Sequence, residues 1–85
     1  MVKEGDLVAI FHSIHRVMKA EKLLKQAGKN VLLIPVPRQL TSDCGLAIRF
    51  PQEIRDEIED ILLSSGLEAQ ELYLRQQKDY KRLDT

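Results

Sequence analysis

The sequence is poor in the residues from which many sites are built. Its 85 residues include one cysteine, two histidines and no tryptophan. A single cysteine cannot form an internal disulfide, and without a CxxC pair or a second cysteine there is no zinc knuckle. We therefore expect a reduced thiol and a cytoplasmic protein.

Neither sign of charge is in excess, because 13 basic and 13 acidic residues give a formal net charge of zero. This balance argues against binding to nucleic acid or to a membrane surface through bulk charge. The sequence also shows no secretory leader, no apolar run of membrane-spanning length and no glycine-rich phosphate loop. We expect no nucleic acid and no membrane as partner, so partners must be recognised by local features.

What is present is the composition of one small folded domain, with 44% hydrophobic and 31% charged residues. Strands are predicted from compact, β-prone runs at residues 6–12, 30–36, 45–50 and 68–74. Apolar residues at helical spacing predict a first helix from its N-cap Ser13 to Gly28 and a second from Pro51 to Gly66. The polar residues 75–85 are expected to form a frayed tail or a short exposed helix.

The order βαββαβ predicts an α+β, ferredoxin-like domain over residues 1–74, with a four-stranded antiparallel sheet and both helices on one face. Its other face would be open and available for a homodimer. In this topology the loop after the second strand lies at the same end of the sheet as the start of the first helix. We therefore expect Cys44 to lie near the segment FHSIH at residues 11–15.

The only cysteine lies in the stretch LIPVPRQLTSDCGLAIRF, residues 33–50, between two predicted strands. The N-terminus of the first helix at Ser13 and the charge of Arg38 would both favour a thiolate on Cys44. His15 would add positive charge when protonated, and so would His12 in the same segment.

Two neighbours of the cysteine have opposite implications. Asp43 disfavours the thiolate, because a carboxylate repels a second negative charge. Gly45 permits a tight turn or the close approach of a partner's backbone. These residues indicate an exposed loop thiol, but an inert cysteine that packs as a small hydrophobe stays open as the alternative.

Other sites have less support. His12, His15 and Cys44 offer three metal ligands, but there is no fourth ligand and no known spacing, so no metal is predicted. A Cys–His hydrolase would need an orienting third group and a cleft that so small a domain rarely encloses. The first helix is basic over residues 16–29 and the second is acidic over residues 53–60. Solvated helix faces that attract each other explain this, and a docking surface for a protein is the functional alternative.

IPVPRQLTSDCGLAIRF, together with the upstream FHSIHRVMKAEKLLKQAG, resembles the small selenium/sulfur carrier-like family. The resemblance extends from the first predicted strand to the fourth, and its most specific part is PVPR followed by CG and a short apolar strand. It implies a carrier whose cysteine accepts sulfur or selenium as a persulfide or selenopersulfide and passes it on. Cys44 would be the acceptor, Gly45 its turn residue, and Pro37 and Arg38 part of the loop that presents it.

The resemblance also implies that small or hydroxyl residues precede the cysteine, as Thr41 and Ser42 do, whereas Asp43 departs from this pattern. Partners would be proteins: a cysteine desulfurase as donor and a sulfur- or selenium-using enzyme as acceptor. Such a carrier needs no cofactor and is not a conventional enzyme. Two alternatives stay open, a noncatalytic interaction or regulatory module in which Cys44 is incidental, and a thiol redox sensor.

Overall fold

The structure is a computed structural model that describes residues 2–42 and 44–83. It confirms the predicted α+β class. Five strands are present: β1 Asp6–Ile10, β2 Leu32–Pro35, β3 Leu46–Pro51, β4 Glu71–Gln76 and β5 Asp79–Arg82. The two helices are α1 Ile14–Gln26 and α2 Arg55–Ser64, and a 3₁₀ turn at Gln52–Ile54 precedes α2. Neither helix of this described part is long and apolar enough to cross a membrane.

The prediction of four strands and an irregular or helical tail was wrong. β4 continues to Gln76, and β5 pairs with it in an antiparallel hairpin. The two residues between these strands, Gln77 and Lys78, have φ angles of 53° and 64°. Two consecutive positive φ values are typical of the type I′ turn, which matches the twist of a hairpin and is usually built from asparagine and glycine. Because Gln-Lys carries no such signal, the hairpin was missed.

The sheet order is β2-β3-β1-β4-β5, with every neighbouring pair antiparallel. β1 and β2 both run opposite to β3 and are therefore parallel to each other. Along β3, Ile10 at the end of β1 is opposite Ala47, and Pro35 at the end of β2 is opposite Leu46. The loop after β2 thus lies at the end of the sheet where α1 begins, as the topology predicted.

The main core lies between both helices and one face of the sheet. Alternation along the strands directs Leu7 and Ala9 of β1 to this face, together with Ile48 and Phe50 of β3. α1 contributes Val17, Ala20 and Leu24, and α2 contributes Ile58 and Leu62.

The ends of α1 follow from local signals. Ser13 accepts a hydrogen bond from the backbone N–H of Arg16 at 3.3 Å, and Gly28 supplies a positive φ after the helix.

The second face of the sheet is covered at its centre, so the prediction that this face is open was wrong. Val8, Ile10, Ile34 and Ala47 are fully buried there. Side chains from other parts of the same chain pack against them: Val2, Val36, Leu40, Tyr73 and Tyr80. The covering residues come from the N-terminus, the loop after β2 and the β4–β5 hairpin, which were not predicted to fold back. The homodimer stays a prediction, but it has less open apolar surface to use.

Candidate functional site

Backbone hydrogen bonds at Val36 and Leu40 close the loop between β2 and β3. The backbone N–H of Val36 donates to the carbonyl oxygen of Gly45 at 3.0 Å, and that of Leu40 donates to Pro37 at 2.9 Å. Gly45 has a φ of 74°, a conformation that other residues adopt only with strain. A Cβ at this position would meet no atom within 4 Å, so glycine is needed for the backbone angle and not for space. The turn expected at Gly45 is therefore present.

Cys44 is half-buried, neither fully exposed at a loop tip nor enclosed in the core. Its side chain packs against the helix-facing core. The Sγ–H donates to the carbonyl oxygen of Leu46 at 3.3 Å. The thiol is thus hydrogen-bonded within its own loop, in a residue that is only partly buried.

Ser42 is the side chain that the structure places beside the thiol. Its Oγ accepts a hydrogen bond from the backbone N–H of Cys44 at 3.3 Å and lies 3.5 Å from Sγ. Because the hydroxyl oxygen is already an acceptor, its own proton is free to point toward sulfur. Ser42 was not among the predicted site residues, although a hydroxyl two residues before a cysteine can bond its backbone N–H in this way.

The other predicted site residues are at the same end of the sheet, but within the described residues none hydrogen-bonds to Cys44. The hydroxyl of Ser13 is occupied as the N-cap of α1. His15 and Arg38 are exposed, the first in the first turn of α1 and the second in the turn that follows Pro37. Asp43, the carboxylate expected to oppose the thiolate, lies outside the described residues.

His12 has a different role from the one expected of it. Its Nε2 donates to a carboxylate oxygen of Glu71 on β4, and the hydroxyl of Tyr73 donates to the other oxygen at 2.7 Å. The hydrogen bond from His12, and after it the one from Tyr73, lowers the pKa of Glu71 from its ordinary 4.5. His12 has a φ of 55°, and histidine is one of the residues that adopt this region more often.

These contacts separate His12 from the thiol. Tyr73 packs on the second face of the sheet, and its partner Glu71 holds His12 there, whereas Cys44 packs against the helix-facing core. In residues 2–42 and 44–83, no three histidine, cysteine, aspartate or glutamate side chains are grouped so that they could hold a metal ion. The three-ligand alternative from the sequence is therefore not assembled.

The site offers the chemistry of one partly buried thiol. A cavity of about 360 Å³ lies elsewhere, between α2 and β4, and is lined by apolar residues such as Ile58, Leu62 and Leu72. A hydrolase would also need a base beside the thiol, and the contact with Glu71 holds His12 toward the second face of the sheet, whereas Cys44 packs against the helix-facing core.

Known families and proteins that are similar to this chain have names that refer to carriers of sulfur or selenium. A family model described as "Putative Se/S carrier protein-like" matches residues 6–74. A curated protein of Aquifex aeolicus (strain VF5) named "Putative sulfur carrier protein" is 32% identical over 85 residues, which covers 96% of this chain and 43% of the relative. The chain thus spans less than half the length of that relative. No solved structure matches the chain. By the family match, the chain is a member of the Se/S carrier protein-like family.

Proposed function

We propose that this protein is a carrier that accepts a sulfur or selenium atom on Cys44 and passes it to an acceptor enzyme. One observation carries the proposal: Cys44 is the only cysteine of a chain in a family described as Se/S carrier protein-like, and the residue is only partly buried. A thiol-based carrier step on this chain therefore has one candidate residue.

The loading step is a thiol exchange in which oxidation levels are conserved. The Cys44 thiolate attacks the terminal sulfur of a persulfide on the donor, R–S–SH. A new S–S bond forms on Cys44, the donor's S–S bond breaks, and the donor leaves as the thiolate R–S⁻, which takes up a proton. Delivery reverses the roles, because a nucleophile on the acceptor attacks the terminal sulfur and Cys44 leaves as thiolate. No outside oxidant or reductant is needed.

Residues around Cys44 have distinct roles in this proposal. Ser42 donates a hydrogen bond from its hydroxyl to the anionic sulfur, since its Oγ lies 3.5 Å from Sγ. Arg38, His15 and the N-terminus of α1 at Ser13 supply positive potential at the same end of the sheet. Gly45 supplies the positive φ of the turn that follows Cys44.

The same proposal names the protein partners of the carrier and the compartment in which they meet. The donor is a cysteine desulfurase and the acceptor is a sulfur- or selenium-using enzyme, both meeting the carrier in the cytoplasm. The β2-β3-β1-β4 part of the sheet is proposed to be ferredoxin-like, a topology supported by its strand order and by the packing of both helices on one face.

The experiment is a loading assay. The protein is incubated with a cysteine desulfurase, pyridoxal phosphate and cysteine, and its intact mass is measured before and after addition of a thiol reductant. We expect a gain of one sulfur atom that the reductant removes. Cys44→Ser should abolish the gain completely, because no other thiol is present.

Three results would overturn the proposal in different ways. A folded protein that gains no sulfur from a desulfurase or from glutathione persulfide would leave Cys44 as an inert packing residue. Partner binding that is unchanged in Cys44→Ser, without any loading, would favour the interaction module. A dimer formed only under oxidant and lost in Cys44→Ser would favour the redox sensor.

A further inference from the structure

The outer side of α1 carries positive charge. The helix buries Val17, Ala20 and Leu24, and with about 100° of rotation per residue Lys19 and Lys22 lie on the opposite side. Both lysines are exposed, and both border a cleft between α1 and the end of α2. We call Lys19 and Lys22 the basic stripe, which thus lies beside the neighbouring helix on the outer surface of the molecule.

The outer side of α2 carries negative charge. This helix buries Ile58 and Leu62, and Asp56 and Asp60 lie on the side opposite to them. Both aspartates are exposed. We call Asp56 and Asp60 the acidic stripe, so the two helices present stripes of opposite charge side by side.

The fold does not use either stripe. Within the part of the chain that the structure describes, no ion pair involves the basic or the acidic stripe. By contrast, Lys29, which follows α1, is paired with Glu57 of α2. The attraction between the helix faces that the sequence suggested therefore uses Lys29, and the charges of both stripes remain available to another molecule.

The two helices are antiparallel. Arg16 near the start of α1 donates to the carbonyl oxygen of Gly66 after α2 at 3.0 Å, and Lys29 after α1 is paired with Glu57 near the start of α2. A twofold axis that is parallel to the helices, and lies just outside them, would place α1 of one copy over α2 of the other in this same alignment. Each basic stripe would then face the acidic stripe of the other copy, so the attraction would occur twice.

Exposed apolar side chains fit the same arrangement. Met18 and Leu63 are 46% and 63% exposed, although both are large hydrophobic residues. Met18 lies near the start of α1 and Leu63 near the end of α2, which are the ends that the alignment brings together. Met18 of one copy would therefore contact Leu63 of the other, in an apolar contact surrounded by complementary charges.

We propose that the outer surface of the two helices is the docking surface for a second copy of this chain, in a twofold dimer held by the basic and acidic stripes. The surface is small, because α1 has 13 residues and is about 20 Å long, so the dimer is weak and reversible. It lies on the opposite side of the molecule from the sheet face that was first expected to pair. An axis parallel to the helices keeps like ends together, so both Cys44 loops lie at one end of the dimer.

The test is sedimentation equilibrium of the full chain from about 10 μM to about 1 mM, in about 0.1 M salt, which screens charges more than about 10 Å apart. We expect a reversible monomer–dimer equilibrium. The dissociation constant should rise about tenfold or more in Lys19→Glu/Lys22→Glu and in Asp56→Lys/Asp60→Lys, because like charges then face each other at both contacts. Leu63→Gln should raise it by about threefold.

The sharpest measurement mixes the two double variants in equal amounts. Each variant alone has two stripes of one sign, but in the mixture the reversed stripes face each other with opposite charges, so a heterodimer should form with about the affinity of the wild type. Lys3→Glu/Lys81→Glu is the matched control, because it changes the net charge as much as Lys19→Glu/Lys22→Glu at exposed residues outside both helices. Its dissociation constant should stay within about twofold of that of the wild type.

Three results would overturn the dimer: a wild-type chain that stays monomeric over the whole concentration range, stripe variants that dimerise like the control, or a mixture that fails to associate. The first would leave the stripes as solvated surfaces or as a site for a different protein. The second would mean that copies associate through another surface. None of these measurements involves sulfur on Cys44, so each outcome leaves the carrier proposal standing.

Discussion

Two polar clusters lie toward the same end of the sheet and are built in opposite ways. The thiol of Cys44 has hydrogen-bond partners only two residues away on either side, Ser42 and the backbone of Leu46. His12 is bonded to Glu71, which is 59 residues away and is also bonded to Tyr73. The first cluster is therefore local, whereas the second ties the end of β1 to β4.

The difference indicates which of these polar residues contribute to the stability of the fold. A long-range cluster forms only in the folded chain, so its hydrogen bonds contribute to the free energy of folding. The hydrogen bonds of a local cluster on a loop contribute less to this free energy, because they can form without the rest of the fold. His12, one of the two histidines expected to add positive charge near the thiol, thus belongs to the long-range cluster.

The largest effect on stability is expected from the substitution His12→Asn in the long-range cluster. Asparagine tolerates the positive φ at this position but is too short to reach Glu71. We expect the free energy of unfolding to fall by roughly 1 to 2 kcal/mol, as for a partly buried hydrogen bond to a charged group. Urea denaturation followed by circular dichroism would measure this loss, and sulfur loading of the folded variant should be unchanged.

The control is His15→Asn, because His15 is exposed in the first turn of α1. Its effect on stability should stay within about 0.5 kcal/mol. If His12→Asn instead leaves stability unaltered but slows loading of Cys44, then His12 acts on the thiol and the two clusters are not separate.

Much of the fold followed from local signals. Ser13 caps α1 as predicted, and Gly28 and Gly66 have positive φ after the two helices. β5 could not be predicted, because its turn residues Gln77 and Lys78 are not typical of a hairpin. The cover of the second face was missed for a related reason, since it depends on where the hairpin and the loop after β2 fold back.

The candidate site was predicted less completely than the fold. Topology correctly placed the Cys44 loop at the end of the sheet where α1 begins. It could not show that Glu71 binds His12, because that contact depends on the register between β1 and β4. Ser42 was visible as a hydroxyl near the cysteine, but its position beside Sγ depends on the conformation of the loop, which the sequence pattern does not define.

A smaller effect, confined to the local cluster, is expected from Ser42→Ala. The hydroxyl proton of Ser42 can stabilise a thiolate on Cys44 at 3.5 Å, and alanine removes it. We expect the rate of alkylation by iodoacetamide at pH 7 to fall by about threefold. Thr41→Ala is the matched control, because Thr41 is an exposed hydroxyl residue in the same loop and should leave the rate unchanged. Equal rates for the wild type and both variants would remove Ser42 from the site.

The smallest expected effect is a pH dependence in the long-range cluster. Because hydrogen bonds from His12 and Tyr73 lower the pKa of Glu71 below its ordinary 4.5, the folded state favours the carboxylate. A lowered pKa contributes stability above the ordinary value and loses it as the pH falls through the folded value. The stability advantage of the wild type over Glu71→Gln should therefore shrink as the pH is lowered from about 5 to 3, in urea denaturation at each pH. Glu68→Gln, at an exposed glutamate before β4, is the control for general acid effects. If the stability advantage over Glu71→Gln stays constant across this pH range, His12 and Tyr73 do not favour the ionised carboxylate. The two clusters would then differ in the sequence separation of their partners but not in their contribution to the free energy of folding.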